Sequence, residues 1–206
     1  GPYFRELEIN KNKTDIVFLD IPGECYIDKE RLTERIIKYV KYSDGLIFIV
    51  NAAETVENNG EKVLGKTIDT VLGMLRENDI PKKPTAIILN KVDQRKLELV
   101  GRNALSDFFP PVTSDAVDMN AVNGKSEKVI DSMLKRGGDG ANIQANLRGY
   151  VNNIIRDFGE DCRVFATRLV LESQSEKQLV LNQGFDTPFL WLLAKMEVFP
   201  AKQEKK

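Results

Sequence analysis

Three short, uninterrupted apolar runs recur along the chain: Asp15-Ile16-Val17-Phe18-Leu19, Leu46-Ile47-Phe48-Ile49-Val50 and Thr85-Ala86-Ile87-Ile88-Leu89. A strand wet on one face alternates apolar with polar residues, so unbroken runs of this length belong to strands covered on both faces. Between them the spacing turns helical. Leu32, Ile36, Ile37 and Val40 fall on one stripe, and Val63, Leu64, Ile68, Val71, Leu72 and Leu75 on another that ends before Pro81. Strand, helix, strand, helix, strand predicts right-handed crossovers and a Rossmann-like α/β fold, with a mainly parallel sheet flanked by helices.

The rest of the chain fits around this frame as a single domain over 3–198. Tyr3 to Ile9 reads as a strand that forms a hairpin with the first apolar run across the polar turn Asn10-Lys11-Asn12-Lys13. From about 102 to 140 the pattern fails. Phe109-Pro110-Pro111 and Gly137-Gly138-Asp139-Gly140 punctuate a segment read as an insertion, with room for a short helix at Val129, Ile130 and Met133. A helical stripe returns at Ile143, Leu147, Val151, Ile154 and Phe158. Arg163 to Thr167 is a short strand, and Gln178 to Leu181 an additional edge strand. Thr187-Pro188 starts a helix, with the threonine hydroxyl as cap and proline in the first turn. Residues 199–206 form a charged tail, and Gly1-Pro2 reads as a protease scar left by a tag.

Composition excludes several chemistries. The chain has no histidine, which removes Ser-His and Cys-His catalysis and any histidine-ligated metal. Two cysteines, Cys25 and Cys162, are too few for a disulfide framework and suit a reducing, cytoplasmic setting. A net charge of -1, with acids and bases interspersed, gives no reason to expect a nucleic-acid or anionic-membrane partner. No apolar run reaches membrane-spanning length, and no signal peptide opens the chain.

Two motifs carry the functional argument, both at strand ends. Asn90-Lys91-Val92-Asp93 follows the third apolar run. The Asp93 carboxylate can accept from the paired N1–H and N2–H2 donors of guanine, which adenine lacks. The Asn90 amide can meet N7 and O6, and the Lys91 stem can cover a base face. Leaving such a buried partner unpaired is what makes discrimination large. Asp20-Ile21-Pro22-Gly23 follows the first run. Asp20 can hold a magnesium ion through water. Gly23 lets a backbone N–H approach a terminal phosphate. Either motif alone is also an ordinary polar turn; their order and spacing are what inform, because ligands of open α/β sheets sit beyond the strands' carboxyl ends.

In that order, with Ser43-Asp44-Gly45-Leu46-Ile47-Phe48-Ile49-Val50 between them, these segments resemble the second half of a Ras-like P-loop GTPase of the translation-factor-related class. The resemblance covers residues 3 to about 100. The insertion and the ending Gly184-Phe185-Asp186-Thr187-Pro188-Phe189-Leu190-Trp191-Leu192-Leu193 more faintly resemble the bacterial double-GTPase-type families. What the resemblance implies is a site for GTP and GDP with Mg2+, and GTP hydrolysis. It also implies that Ala166-Thr167-Arg168 stands where the family has a Ser-Ala-Lys-like loop, whose backbone amide reaches guanine O6. Glu24 stands just after Gly23, where many members place a water-orienting glutamine, and is the catalytic candidate.

Besides Glu24 and the poorly matching Ala166-Thr167-Arg168, the chain departs from the family in a larger respect. No Gly-x-x-x-x-Gly-Lys-Ser/Thr loop precedes Asp20. Tyr3 to Ile9 matches the family's second strand, so the first strand, phosphate loop and first helix are expected upstream of Tyr3 or on a partner chain. Their absence would leave a gap between neighbouring strands or an open edge, suited to a protein partner or homo-oligomer. Asn123-Gly124-Lys125-Ser126 ends like a phosphate loop, but its first glycine would fall at Met119 and no buried strand leads into it. The expectations are therefore a GTPase switch lacking its phosphate cradle, with weak GTP binding by this chain alone, or a pseudo-GTPase scaffold without turnover. A Rossmann-like domain with chance motifs is the third reading.

Overall fold

In a computed structural model, the described residues are 3–9, 12–19, 34–51, 70, 72–90, 116–134, 149, 152–153, 155–157, 161–174, 177–183 and 186–202. Two strands, β1 (Tyr3–Ile9) and β2 (Asn12–Phe18), pair antiparallel from Tyr3 opposite Phe18 to Ile9 opposite Asn12. The hairpin forms as expected, with Asn12 and Lys13 inside the ladder rather than in the turn. Helix α1 (Glu34–Tyr42) follows, with an acid in its first turn and Lys41 in its last, as the helix dipole favours. Then come β3 (Leu46–Asn51), β4 (Thr85–Asn90), a two-residue β5 (Val117–Asp118) and helix α2 (Met119–Leu134). The order closes with β6 (Cys162–Ala166), β7 (Arg168–Gln174), β8 (Lys177–Gln183), helix α3 (Asp186–Lys195) and β9 (Ala201–Lys202).

The molecule is mixed α/β around a parallel three-stranded sheet ordered β3-β4-β6. β4 is its centre. Every side chain from Thr85 to Leu89 is buried, so both faces of this strand are covered, as its sequence requires. On one face, Ala86 and Phe165 pack with Val117, Val122, Trp191, Leu192 and Ala194, contributed by β5, α2 and α3. The Phe165 and Trp191 rings sit 5.7 Å apart and tilted by 58°, a favoured aromatic arrangement.

The joints are specified locally. Lys83 is buried, and its ammonium donates to the carbonyls of Lys41 (2.7 Å) and Ser43 at the carboxyl end of α1. Burial lowers its pKa, with Asp44 acting in opposition. A helical segment at 72–77 ends as expected before Pro81. Asp79 takes a left-handed conformation (φ 50°), and the Ile80 amide reaches back to the Leu75 carbonyl at 2.9 Å. That 6→1 bond is a Schellman closure, with aspartate where glycine is usual. Asp118 starts α2 by accepting from the Ala121 amide at 3.0 Å, an N-cap.

Several expectations need correction. Of the three apolar runs, only the second and third join the parallel sheet; the first pairs within the β1-β2 hairpin, and the third sheet strand is β6. The second run is not covered on both faces. Ile47 is 37% and Ile49 70% exposed, whereas Val50 is buried: alternate residues point to opposite faces, and the Ile47–Ile49 face of β3 is open. The segment read as an insertion holds a 16-residue helix, longer than 129–133 suggested, and Val122 and Ser126 bind it into the core. The strand expected at 178–181 is the second arm of the antiparallel β7-β8 hairpin. Helix α3 starts at Asp186, and the buried Thr187 hydroxyl has no hydrogen-bond partner, so it is not the cap. The ordered body runs past 198: Phe199 packs on the core, and Ala201–Lys202 pair with β5. The stripe residues Ile143, Leu147, Val151, Ile154 and Phe158 lie outside the described residues, although 152–153 and 155–157 are helical.

Candidate functional site

The carboxyl ends of the parallel strands come out side by side. Asn51 of β3 is in register with Asn90 of β4, and Leu89 with Ala166 of β6. β2 is tied to the same body through Phe18, whose ring stacks on Phe189 in the first turn of α3 at 5.0 Å.

At the end of β4, Asn90 is half-buried while Thr167, just beyond β6, is fully buried. The Thr167 hydroxyl donates to Asn90 Oδ1 at 3.1 Å. Its backbone N–H donates to the Leu89 carbonyl at 2.8 Å, so that amide belongs to the ladder and is not presented to a ligand. Strand alternation aims the Ala166 N–H away from β4, along with that of Val164. Thus of the Ala166-Thr167-Arg168 stretch, the threonine hydroxyl meets Asn90, not a backbone amide.

Asp20, Gly23, Glu24, Lys91 and Asp93 lie outside the described residues. Among the described residues, no three Cys, Asp or Glu side chains gather as a metal cluster. No helix there is long and apolar enough to cross a membrane.

The phosphate-loop-like stretch Asn123-Gly124-Lys125-Ser126 falls inside α2, beginning at its fifth residue. A phosphate loop needs backbone amides left over at a helix start; here the helix has consumed them. Its polar side chains serve β6 instead. Ser126 is buried and its hydroxyl accepts from the Val164 amide at 2.9 Å. Asn123 Oδ1 accepts from Arg163 Nε at 2.6 Å. The Ser126 contact satisfies a backbone amide on the β6 edge that faces away from β4, and the Asn123 contact ties down a β6 side chain.

A cleft of about 310 Å³ opens elsewhere, lined by Leu72, Leu75, Ile80 and Pro81 with Arg76 and Asp157 at its rim. Ile80 and Pro81 precede β4, so the cleft lies toward the amino end of that strand, away from Asn90. Sequence reasoning missed it, because the helical residues Arg156 and Asp157 that line it carry no motif.

No protein-family model, no characterised protein and no solved structure matches the chain.

Proposed function

We propose that this chain is a guanine-nucleotide-binding domain of the P-loop GTPase type, reading the base with Asn90, Lys91 and Asp93. The observation that carries the reading is Asn90 itself. It ends the most deeply buried strand of a parallel sheet, where α/β folds bind ligands, and its carboxamide is held by a fully buried hydroxyl. In this reading Asp20 holds Mg2+, Gly23 approaches the terminal phosphate, and Glu24 orients the attacking water for GTP hydrolysis.

The division of the strands also favours the reading. Among the described residues the β1-β2 and β3-β4-β6 sheets are separate, as a further strand standing between them would require. Exposed Ile47 and Ile49 on β3, with Val17 on β2 48% exposed, are apolar surface that such a strand and its helix would cover. We expect weak nucleotide affinity from this chain alone, because phosphate contacts normally contribute much of it.

The same exposed face favours a second reading, a GTPase-like scaffold that binds protein and turns nothing over. Titration of GTP and ATP with Mg2+ into the chain separates the two. Guanine preference that Asp93→Asn relaxes supports the first. Equal, negligible binding of both nucleotides, with capture of a protein partner that Ile49→Lys abolishes, supports the second.

A further inference from the structure

Beyond Thr167 the chain forms a two-stranded ribbon whose first strand is complementary to a second copy of itself. We propose that the β7-β8 ribbon is a self-association surface, through which two copies of the chain pair β7 to β7, antiparallel, about a two-fold axis at Val170. The inference does not rest on the guanine-binding reading.

The ribbon is long for what holds it. β7 and β8 pair along their whole seven-residue length, and among the described residues neither pairs with any other strand. A lone two-stranded ribbon is marginal in water; three or more strands sharing an apolar face are needed for stability. The register sets Val170 opposite Leu181 and Leu171 opposite Val180. Successive residues of a strand belong to opposite faces, so aliphatic residues fall on both faces of the ribbon. Each strand also has an outer edge, and an outer edge is a template for a further strand. Two ribbons joined edge to edge make a sheet of four strands.

The β7 edge is the one whose sequence fits its own copy. In an antiparallel pair centred on Val170, Leu169 falls opposite Leu171 of the second copy, and Arg168 opposite its Glu172. The two-fold axis repeats both pairs. Within the ribbon, the register sets Gln183 opposite Arg168 and Leu179 opposite Glu172, so neither charge meets its complement directly across. Moving the axis to Leu171 would set Val170 against Glu172 and Leu169 against Ser173. Moving it to Leu169 would set Arg168 against Val170. The Val170 register alone matches charge with opposite charge and aliphatic with aliphatic, which is what cross-strand pairs reward. The β8 strand, centred on Val180, matches Leu179 with Leu181 but sets Lys177 against Gln183, so charge favours β7.

The test is sedimentation equilibrium of the wild-type chain, of Arg168→Glu, of Glu172→Arg, and of an equimolar mixture of the two variants. The wild type is expected to form a reversible dimer in the weak, transient class that a small interface gives. Either reversal alone sets like charges opposite each other at two places, and is expected to weaken the dimer about tenfold. In the mixture every one of those pairs is again opposite in sign, so association is expected to return to within about threefold of wild type. A wild type that stays monomeric up to about 1 mM overturns the inference. A dimer unmoved by either reversal overturns it too, as does a mixture that associates no more tightly than each variant alone. If the variants do not fold, amide hydrogen exchange of the wild type decides. The β7 amides that do not bond to β8 should gain protection as the chain is concentrated; unchanged protection, or a gain confined to β8, overturns the inference.

Discussion

Ser126→Ala removes one oxygen from the centre of α2, and the structure sets the cost. The Ser126 hydroxyl is the partner of the Val164 amide at 2.9 Å, on a residue only 3% exposed. Without it, a buried N–H on β6 stands unsatisfied, which costs about 1–3 kcal/mol. Alanine is the better helix former, returning about 0.5 kcal/mol. The net expectation is a loss of about 1.5 kcal/mol, or about 3–6 °C in melting temperature for a domain of this size. Urea denaturation followed by fluorescence of Trp191, the one tryptophan in the chain, measures it. Val164 and Trp191 are both fully buried, so the probe reports the affected core. A change below about 0.5 kcal/mol would mean that the amide is satisfied by something else, and the structural role given to Ser126 would fail. Lys125→Ala separates this role from a phosphate loop: it should leave both stability and any nucleotide binding unchanged. Loss of Mg2+-nucleotide binding in that variant would restore the phosphate-loop reading.

Lys83→Met removes two charge-assisted hydrogen bonds from the end of α1 and should cost about 2–3 kcal/mol, read by urea denaturation. A cost near zero would show that water caps the helix equally well. Ile49→Lys should change stability by less than about 0.5 kcal/mol while reducing binding of a hydrophobic dye, because that side chain is 70% exposed. A large loss would mean that the face is already covered. Burial pushes the Cys162 thiol up from 9.0 to about 12, with Arg163 opposing. Between those values the unfolded chain has released a proton that the folded chain keeps, so this group's contribution is fully present below pH 9.0 and declines toward pH 12. Urea denaturation of wild type and Cys162→Ala across that range should show the steeper decline in wild type, the difference between the two curves being the Cys162 contribution. In a Cys25→Ser background, Cys162 should resist a thiol reagent at pH 8 until the protein unfolds.

How much of this was legible depends on where the physics acts. β4 could be read directly, because a strand buried on both faces has no polar alternation to confuse it. Helix α2 was legible only in its second half, at Val129, Ile130 and Met133; what anchors its first half to β6 includes a serine and an asparagine that look like surface residues. The one local signal was Asp118, an N-cap immediately before it. The β7 strand was hidden because it continues from β6 after a single residue, Thr167. Exposure of Ile47 and Ile49 was illegible because it depends on what packs over that face of β3, which β3 itself does not encode. Asn90 was found from its motif and strand context. Its contact with Thr167, 77 residues further along, follows only once β4 and β6 are known to be neighbours.

The account stands most directly on base selectivity. Mg2+-GDP and Mg2+-ADP titrated separately into the wild-type chain, with ligand-observed NMR as the readout, measure it. The account predicts tighter binding of GDP, by about tenfold or more, and loss of that margin in Asn90→Ala and Asp93→Asn. Equal affinity for the two nucleotides in wild type, or a margin that survives both substitutions, would contradict it.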